Sequence, residues 1–217
     1  MAMDDAVWSS LRAAIVTVGG GRGFLVEARA RRLVVTAAHC LPQLPPAHAA
    51  SYSAQRTYRK LLGPVGAGAP TIWAECLFVD PIADLAVLCA PDGQMYVAAH
   101  DAYTSLVEAG SVLPIGVVTS PCTAWLLTLD GRWELCGVRV DEQSGGRYLT
   151  IVGAEDGIVP GTSGSPIVSA EGYALGTVSL RSEETGRARD EQPRQPPLVN
   201  DLPGWLLTEL NCGRRLG

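Results

Sequence analysis

The sequence predicts an all-β fold, and three features carry that expectation. Its apolar stretches are short and rich in β-branched residues, at 14–18, 24–27, 33–36, 72–79, 85–89, 148–152 and 173–180, with Gly, Pro and Asp clusters between them. An Asp130-Gly131 dipeptide separates apolar runs at 124–129 and 132–138, the short-range mark of a β-hairpin. Hydrophobic residues make up 47% of the 217-residue chain, enough for a packed core, and no period recurs that would signal a helical repeat.

Taken in order, residues 14–18 open a hairpin that turns through 19–23 and resumes as strand at 24–27. The basic run 29–32 is a solvated turn before the strand at 33–36. Residues 42–70 hold five of the fifteen prolines and the polar patch SYSAQRTYRK, so a decorated surface loop carrying a short strand is expected, close enough to residue 39 to shape a cleft. Strands at 72–79 and 85–89 flank Asp80-Pro81-Ile82-Ala83-Asp84. The polar stretch 91–103 reads as an irregular inter-lobe linker, and a glycine-led strand follows at 110–118. The hairpin on Asp130-Gly131 is expected to set Trp125 opposite Cys136 and Cys122 opposite Arg139. After the strand at 148–152 come a loop at 154–165, strands at 167–168 and 173–180, and a charged, proline-rich loop at 181–197. Near the end Asp201-Leu202-Pro203 starts a helix with Trp205, Leu206, Leu207 and Leu210 on one face and Gly213 as its stop.

Charge and composition exclude several classes. A net charge of −5, with the basic residues scattered, argues against nucleic acid or an anionic membrane as partner. The amino terminus MAMDDAVWSS is acidic where a signal peptide is basic, and no apolar run follows that would serve as its core or span a bilayer, so a cytoplasmic location is expected. Lysine occurs once, at Lys60, while Arg, Ala, Gly and Pro abound, which points to a GC-rich, bacterial genome. No metal or cofactor is called for.

The chemistry centres on GTSGSP at 161–166. Ser163, between glycines that tolerate unusual backbone angles, is expected exposed at the apex of a tight turn. A serine hydroxyl is a weak nucleophile until a positioned base takes its proton. VVTAAHC supplies His39, where small Ala37 and Ala38 let the chain turn; His48 and His100 have no such context and read as surface residues. DPIADLAVL supplies Asp84, directly before a buried run, as the acid that orients the base. Asp80, before Pro81, is its rival and looks like a turn former.

The order His39, Asp84, Ser163, with each residue in a turn beside β-type runs, resembles the trypsin-like, chymotrypsin-fold serine proteases. The 45-residue separation of His39 and Asp84 matches that family. GRGFLV resembles its bacterial and high-temperature-requirement members, though no PDZ-like segment is present, and GTSGSP is similar to the bacterial glutamyl endopeptidases. The resemblance covers nearly all of the chain from Ala14 onward. It implies two six-stranded antiparallel β-barrels with the active site between them and a C-terminal α-helix: 8–98 carrying His39 and Asp84, and 99–217 carrying Ser163, with the terminal helix at about 203–212. It implies an oxyanion hole from the N–H groups of Gly161 and Ser163, and a substrate strand added along Thr177, Val178, Ser179 and Leu180. Leu180 replaces the family's usual aromatic, and Arg181 its glycine. The specificity pocket would have Gly157 as floor, with walls through Ile158 and Val159 and along Val178 to Leu180. These are small or apolar, so alanine, valine or leucine is expected before the scissile bond, with Asp156 as a rival source of charge.

The resemblance also bears on regulation and redox state. Thr162 stands where members activated by leader cleavage have aspartate, so no such cleavage is expected; a regulatory protein partner ordering residues 154–162 stays open. In secreted members the cysteine after the catalytic histidine pairs with one about sixteen residues earlier, a place held here by Phe24, and Val159 sits where they clamp the nucleophile loop. Cys40 is thus left without its partner, Cys76 and Cys89 are the one pair left open, and buried thiols are otherwise expected. Three functions fit: an endopeptidase acting on protein or peptide substrates, which leads; a peptide-binding pseudoprotease scaffold; and an esterase or acyltransferase on the same three residues.

Overall fold

In the computed structural model, which describes residues 5–46, 52–143, 146–179, 198–200 and 208, twelve strands form two closed antiparallel barrels. The first takes β1 (Ile15–Val18), β2 (Gly21–Ala28), β3 (Arg31–Thr36), β4 (Thr57–Pro64), β5 (Ile72–Asp80) and β6 (Leu85–Cys89) in the order β1-β2-β3-β6-β5-β4. The second takes β7 (Cys122–Leu127), β8 (Trp133–Gln143), β9 (Gly146–Val152), β10 (Pro166–Ser169), β11 (Ala174–Ser179) and β12 (Leu198–Asn200) in the order β10-β11-β12-β9-β8-β7. The α-helices α1 (Asp5–Ala13), α2 (Ser53–Arg56) and α3 (Val97–Ala109) accompany them, with short 3-10 helices at Ala38–Cys40 and Glu155–Gly157. None is long and apolar enough to cross a membrane.

Strand β6 shows why the runs read as they do. All five of its residues are buried. Ala86 and Leu88 point into the first barrel with Val34, Leu62 and Tyr58, while Leu85, Val87 and Cys89 pack outward with Phe24, Val26 and Val35 against Val168 and Ala174 of the second barrel. A strand buried on both faces must be apolar at every position rather than at alternate ones. A third cluster, built on Leu126, Val138, Leu149, Ile151 and Ile167, fills the second barrel.

The structure corrects several expectations. Strand β2 begins at Gly21, not Phe24: Gly21 and Gly23 stay in the ladder opposite Val18 and Val16, and only Gly19 and Gly20 turn. These glycines are spatial requirements, since a side chain at Gly21 would strike the carbonyl of Ser163 and one at Gly23 the carbonyl of Val35. The β7–β8 hairpin is shifted by one residue, with Ala124 opposite Cys136, Trp125 opposite Leu135 and Cys122 opposite Val138. Its loop has three central residues, Leu129, Asp130 and Gly131, closed by Thr128 N–H to the Arg132 carbonyl at 2.9 Å, with Gly131 at φ 84°. A glycine in the left-handed region completes such a loop, whereas a two-residue loop would give the other register.

Residues 110–118 form no strand. Leu113 N–H bonds to the Leu25 carbonyl, and Ala174 bonds through its N–H to Pro114 and through its carbonyl to Gly116, so the segment is tied to both barrels. The stretch expected as an irregular linker contains the first half of α3, which buries Tyr103 and Val107 one turn apart. The Tyr103 hydroxyl donates to the Arg32 and Leu88 carbonyls. Helix α1 has no counterpart in the sequence reading. Its Trp8 meets Trp125 edge to face and lies tilted against Trp133, Leu11 enters the seam between the barrels, and the Arg12 guanidinium holds the Gly131 carbonyl. His48, the loop at 181–197 and, apart from helical Thr208, the expected terminal helix lie outside the described residues; His100 is half-buried, its ring 2.9 Å from the Pro91 carbonyl.

Candidate active site

Asp84 organises the first half of the site. It ends the turn begun at Asp80, whose Oδ1 accepts from Ile82 and Ala83 N–H at 2.9 and 3.0 Å, so Asp80 spends its carboxylate on the local turn. Asp84 itself sits at φ 52°, a region that Asp enters more readily than most residues. Its carbonyl accepts from Ala38 N–H at 3.1 Å and its Oδ1 from His39 N–H at 3.0 Å. Its Oδ2 takes the His39 ring Nδ1–H at 2.7 Å and the Ser179 hydroxyl at 2.5 Å. One residue thus fixes the position of the His39 main chain and the tautomer of its ring, leaving Nε2 the unprotonated nitrogen.

The electrostatics follow from these contacts. The hydrogen bond to Asp84 raises the pKa of His39 above the ordinary imidazole value, outweighing a burial effect that lowers it. Burial alone pushes the Asp84 carboxyl up, but hydrogen bonds from His39 and Ser179 together hold it below its ordinary value. Beside them, burial pushes the Cys40 thiol up to about 11, which makes it a poor nucleophile next to the histidine.

Ser163 lies in two successive turns. In the first, Thr162 N–H bonds to the Val159 carbonyl at 3.0 Å with Pro160 second and Gly161, at φ 104°, third. Pro then Gly with positive φ is a type II turn, in which the central peptide faces the opposite way from the commoner type I. In the second, Ser165 N–H bonds to the Thr162 carbonyl at 3.0 Å with Gly164 at φ 79°. Here glycine is obligatory twice over, because a side chain at Gly164 would also collide with the Arg22 carbonyl. Thr162, fully buried, seals the first turn: its hydroxyl donates to the Val159 carbonyl at 2.7 Å and accepts from Val159 N–H at 3.2 Å.

Main-chain bonds dock this turn on both barrels. The Ser163 carbonyl accepts from Arg22 N–H at 2.7 Å and lies 3.6 Å from Cys40 Sγ, while Gly164 N–H and the Ser165 carbonyl bond to Val178 at 2.7 and 2.9 Å. Ser163 is thereby held beside the residue that follows His39. Contrary to the expected apex, it is only 6% exposed, and among the described residues its hydroxyl makes no hydrogen bond with the His39 ring. Such bonds are often long in a site without substrate. Of the expected substrate strand, Val178 spends both main-chain groups on the nucleophile turn and Thr177 pairs with Pro166 and Asn200. Ser179 likewise pairs with Leu198 of β12, and Leu180 and Arg181 lie outside the described residues.

Sequence reasoning missed two groups near this turn. Arg22, 4% exposed, reaches from the first barrel to donate to the Leu127 carbonyl at 2.5 Å and the Thr128 carbonyl at 3.1 Å. Burial lowers its pKa, with Arg12 adding to the effect. Glu134 places Oε2 where a side chain on Gly157 would lie. The available signal was the hairpin register, which sets Glu134 opposite fully buried Leu126. Ile158 is buried and Val159 exposed, and Gly157 N–H closes a turn on the Ala154 carbonyl at 3.1 Å. The thiols of Cys40, Cys76, Cys89 and Cys122 are unbridged.

Comparison with known proteins places this geometry in a family. The model of the trypsin-like peptidase domain matches residues 21–176. No curated protein matches the chain. Among solved structures, a chain from work on the coupled folding and binding of the intrinsically disordered Sesbania mosaic virus VPg protein is 14% identical at TM-score 0.52, with 94% of this chain and 92% of that one covered. The inactive form of the Rv3671c protease is 16% identical at TM-score 0.49, over 98% and 97% of the two chains. A second inactive structure of Rv3671c, from M. tuberculosis H37Rv, has the same identity and score over 100% and 98%.

Proposed function

The chain belongs to the trypsin-like peptidase family and is a trypsin-like serine protease, and from that premise we propose that it is an endopeptidase working through His39, Asp84 and Ser163. The observation that carries this reading is the set of bonds from Asp84 to the main chain and ring of His39. As Ser163 Oγ attacks the substrate carbonyl carbon, its proton passes to His39 Nε2, and Asp84 stabilises the imidazolium that forms. The negative charge on the carbonyl oxygen is taken by the N–H groups of Gly161 and Ser163, each such donor being worth about 3 kcal/mol in the transition state. The peptide C–N bond then breaks, the imidazolium gives its proton to the departing amine, and an acyl ester remains on Ser163. Water repeats the sequence, its proton going to His39 and then back to Ser163 Oγ as the acid leaves.

The type II turn supports the oxyanion assignment, because Pro160 and Gly161 fix the orientation of the central peptide through covalent geometry. Thr162 does locally what an ion pair to a released amino terminus would otherwise do, so competence without cleavage is part of the proposal. The unbridged thiols favour a reducing compartment, in line with a cytoplasmic location. The lobes 8–98 and 99–217 belong to the same reading, with α3 as the bridge between them. Labelling by a fluorophosphonate, combined with cleavage of a proteome-derived peptide library, tests it. Labelling and cleavage that both vanish in Ser163→Ala are expected, and full activity in that variant would remove the assignment.

A further inference from the structure

On the endopeptidase reading, Ser163 and the Gly161 N–H must keep fixed positions while charge develops beside them, so whatever holds their loop bears on the rate. Two different parts of Arg22 act on that loop. Its main chain touches the nucleophile turn directly. Arg22 N–H donates to the Ser163 carbonyl at 2.7 Å, and the Arg22 carbonyl, which accepts the Thr36 hydroxyl at 2.6 Å, fills the place where a side chain at Gly164 would project. Its side chain leaves the first barrel and donates to the Leu127 carbonyl at 2.5 Å and the Thr128 carbonyl at 3.1 Å. Those carbonyls begin the β7–β8 turn, and that turn lies against the nucleophile loop at two points. A side chain at Gly157 would lie 3.1 Å from Thr128 Cγ2, and one at Gly161 would lie 3.3 Å from Leu129 Cδ1. That same position on Gly161 is 3.9 Å from the Gly20 carbonyl, two residues before Arg22.

The energetics point away from a purely stabilising role. A guanidinium taken out of water costs free energy that carbonyl dipoles offset only in part. Among the described residues no carboxylate pairs with it, while Arg12, a like charge, holds the Gly131 carbonyl of the same turn. A methionine of similar length would fill the space without that cost. What methionine cannot do is fix direction, whereas two N–H groups in a rigid fork hold two successive carbonyls at set distances and angles. We propose that Arg22 is a positioning residue for the reaction, its guanidinium bracing the β7–β8 turn against Gly157 and Gly161 so that Ser163 and the oxyanion donors stay in place beside the first barrel. The guanidinium touches no substrate and acts through the loop it braces.

Arg22→Met and Arg22→Lys in the full chain test this. Kinetics on a peptide substrate and on an activated ester are read together with hydrogen–deuterium exchange of the peptides spanning 127–131 and 154–165. Arg22→Met is expected to lose about 10- to 100-fold in kcat on both substrates, the equivalent of one hydrogen bond to a charged group, with KM nearly constant. The acid limb of the pH profile should stay at its wild-type position, because the bonds between Asp84 and His39 involve no atom of Arg22. Faster exchange in both spans, with β3, β5 and β6 protected as in wild type, should accompany the loss. Arg22→Lys keeps the charge but not the fork, so it should recover part of both effects, and it decides by the same readouts if the methionine variant does not fold. Wild-type kcat and exchange in the deciding variant, a loss carried by KM alone, or a shifted acid limb would overturn the proposal. A wild-type chain that neither cleaves nor takes up a fluorophosphonate would overturn the endopeptidase reading instead, and the exchange pattern would then decide for or against the brace by itself.

Discussion

Replacing Asp84 by asparagine separates the orienting role of this residue from its mere presence, because its two carboxylate oxygens face different partners. Oδ1 accepts from His39 main-chain N–H, a group that only donates, while Oδ2 faces the ring Nδ1 and the Ser179 hydroxyl. An asparagine must keep its oxygen toward the main-chain N–H, since its NH2 there would set donor against donor. The NH2 group then points at Nδ1, which has to accept, and the ring proton moves to Nε2. The Ser179 hydroxyl is free to rotate and accept, so nothing nearby opposes the change. A histidine protonated at Nε2 cannot take the proton of Ser163.

The expected loss in kcat is about 10⁴-fold, the size of effect known for a wrong tautomer in such a triad, or roughly 5 kcal/mol of transition-state stabilisation. KM should hold nearly constant, because Asp84 touches no substrate, and thermal unfolding should show the variant folded. Initial rates on a peptide substrate and on an activated ester, with fluorophosphonate labelling rates beside them, provide the assay. Asp80→Asn is the control: an asparagine oxygen can accept from Ile82 and Ala83 N–H as the carboxylate does, so activity should hardly change. Activity of Asp84→Asn within tenfold of wild type would refute the tautomer argument, and a large loss in Asp80→Asn instead would move the acid to that residue.

Other consequences follow from the same contacts. Because the bond to Asp84 raises the His39 pKa and the base must be neutral, kcat/KM should fall with decreasing pH through a midpoint above the ordinary imidazole value of about 6.5; a midpoint below it would contradict the pairing. The stability His39 draws from that pair is present below its unfolded pKa and lost as pH rises through the raised folded value, whereas the Asp84 contribution is present above its unfolded pKa and lost as pH falls through the lowered one, which urea unfolding across pH can follow. Thr162→Val keeps the volume but removes both hydroxyl bonds to Val159, so a loss of about 1–3 kcal/mol shared between unfolding free energy and turnover is expected; an unchanged melting curve and labelling rate would show that the turn holds without it. Dithiothreitol should leave activity intact, and inactivation together with fewer than six titratable thiols in the untreated, denatured chain would contradict this.

The sequence made legible whatever is settled within a few residues. The turn ending at Asp84 announces itself through Asp80-Pro81 and a run apolar at every position, and β5 and β6 lie within a residue of where those signals put them. The GTSGSP stretch announces a tight turn through its glycines, but the structure makes two, with positive φ at Gly161 and Gly164, and buries Ser163 instead of exposing it. The hairpin at Asp130-Gly131 was half legible: its glycine is where the turn needs one, but the loop holds one more residue than the dipeptide suggests, and a slip of one residue moves every side chain to the other face. That slip is what concealed Glu134. Read in the wrong register it is a solvent-facing acid on a strand, and read in the right one it points with Cys136 and Val138 toward the interior.

What the sequence withheld is the traffic between the barrels, and the reason is physical. Arg22 is locally one more basic residue in a glycine-rich strand; only the approach of β7 supplies the two carbonyls that make its burial tolerable. Trp8 has no apolar period around it and gains its partners, Trp125 and Trp133, from residues more than a hundred positions away. These contacts converge on one place, since Arg12, Arg22 and Trp133 all bear on the turn between β7 and β8 that carries Thr128 and leads into Glu134. Helix α1 is therefore coupled to that turn, and Trp8→Ala, which removes two aromatic contacts worth about 0.5–1.5 kcal/mol each beyond their buried area, should loosen it. A lower unfolding free energy in Trp8→Ala, with the Asp84–His39 pair untouched and the acid limb of the pH profile unmoved, is the expected signature. A shift of that limb instead would mean that the helix supports the first barrel as a whole rather than the β7–β8 turn.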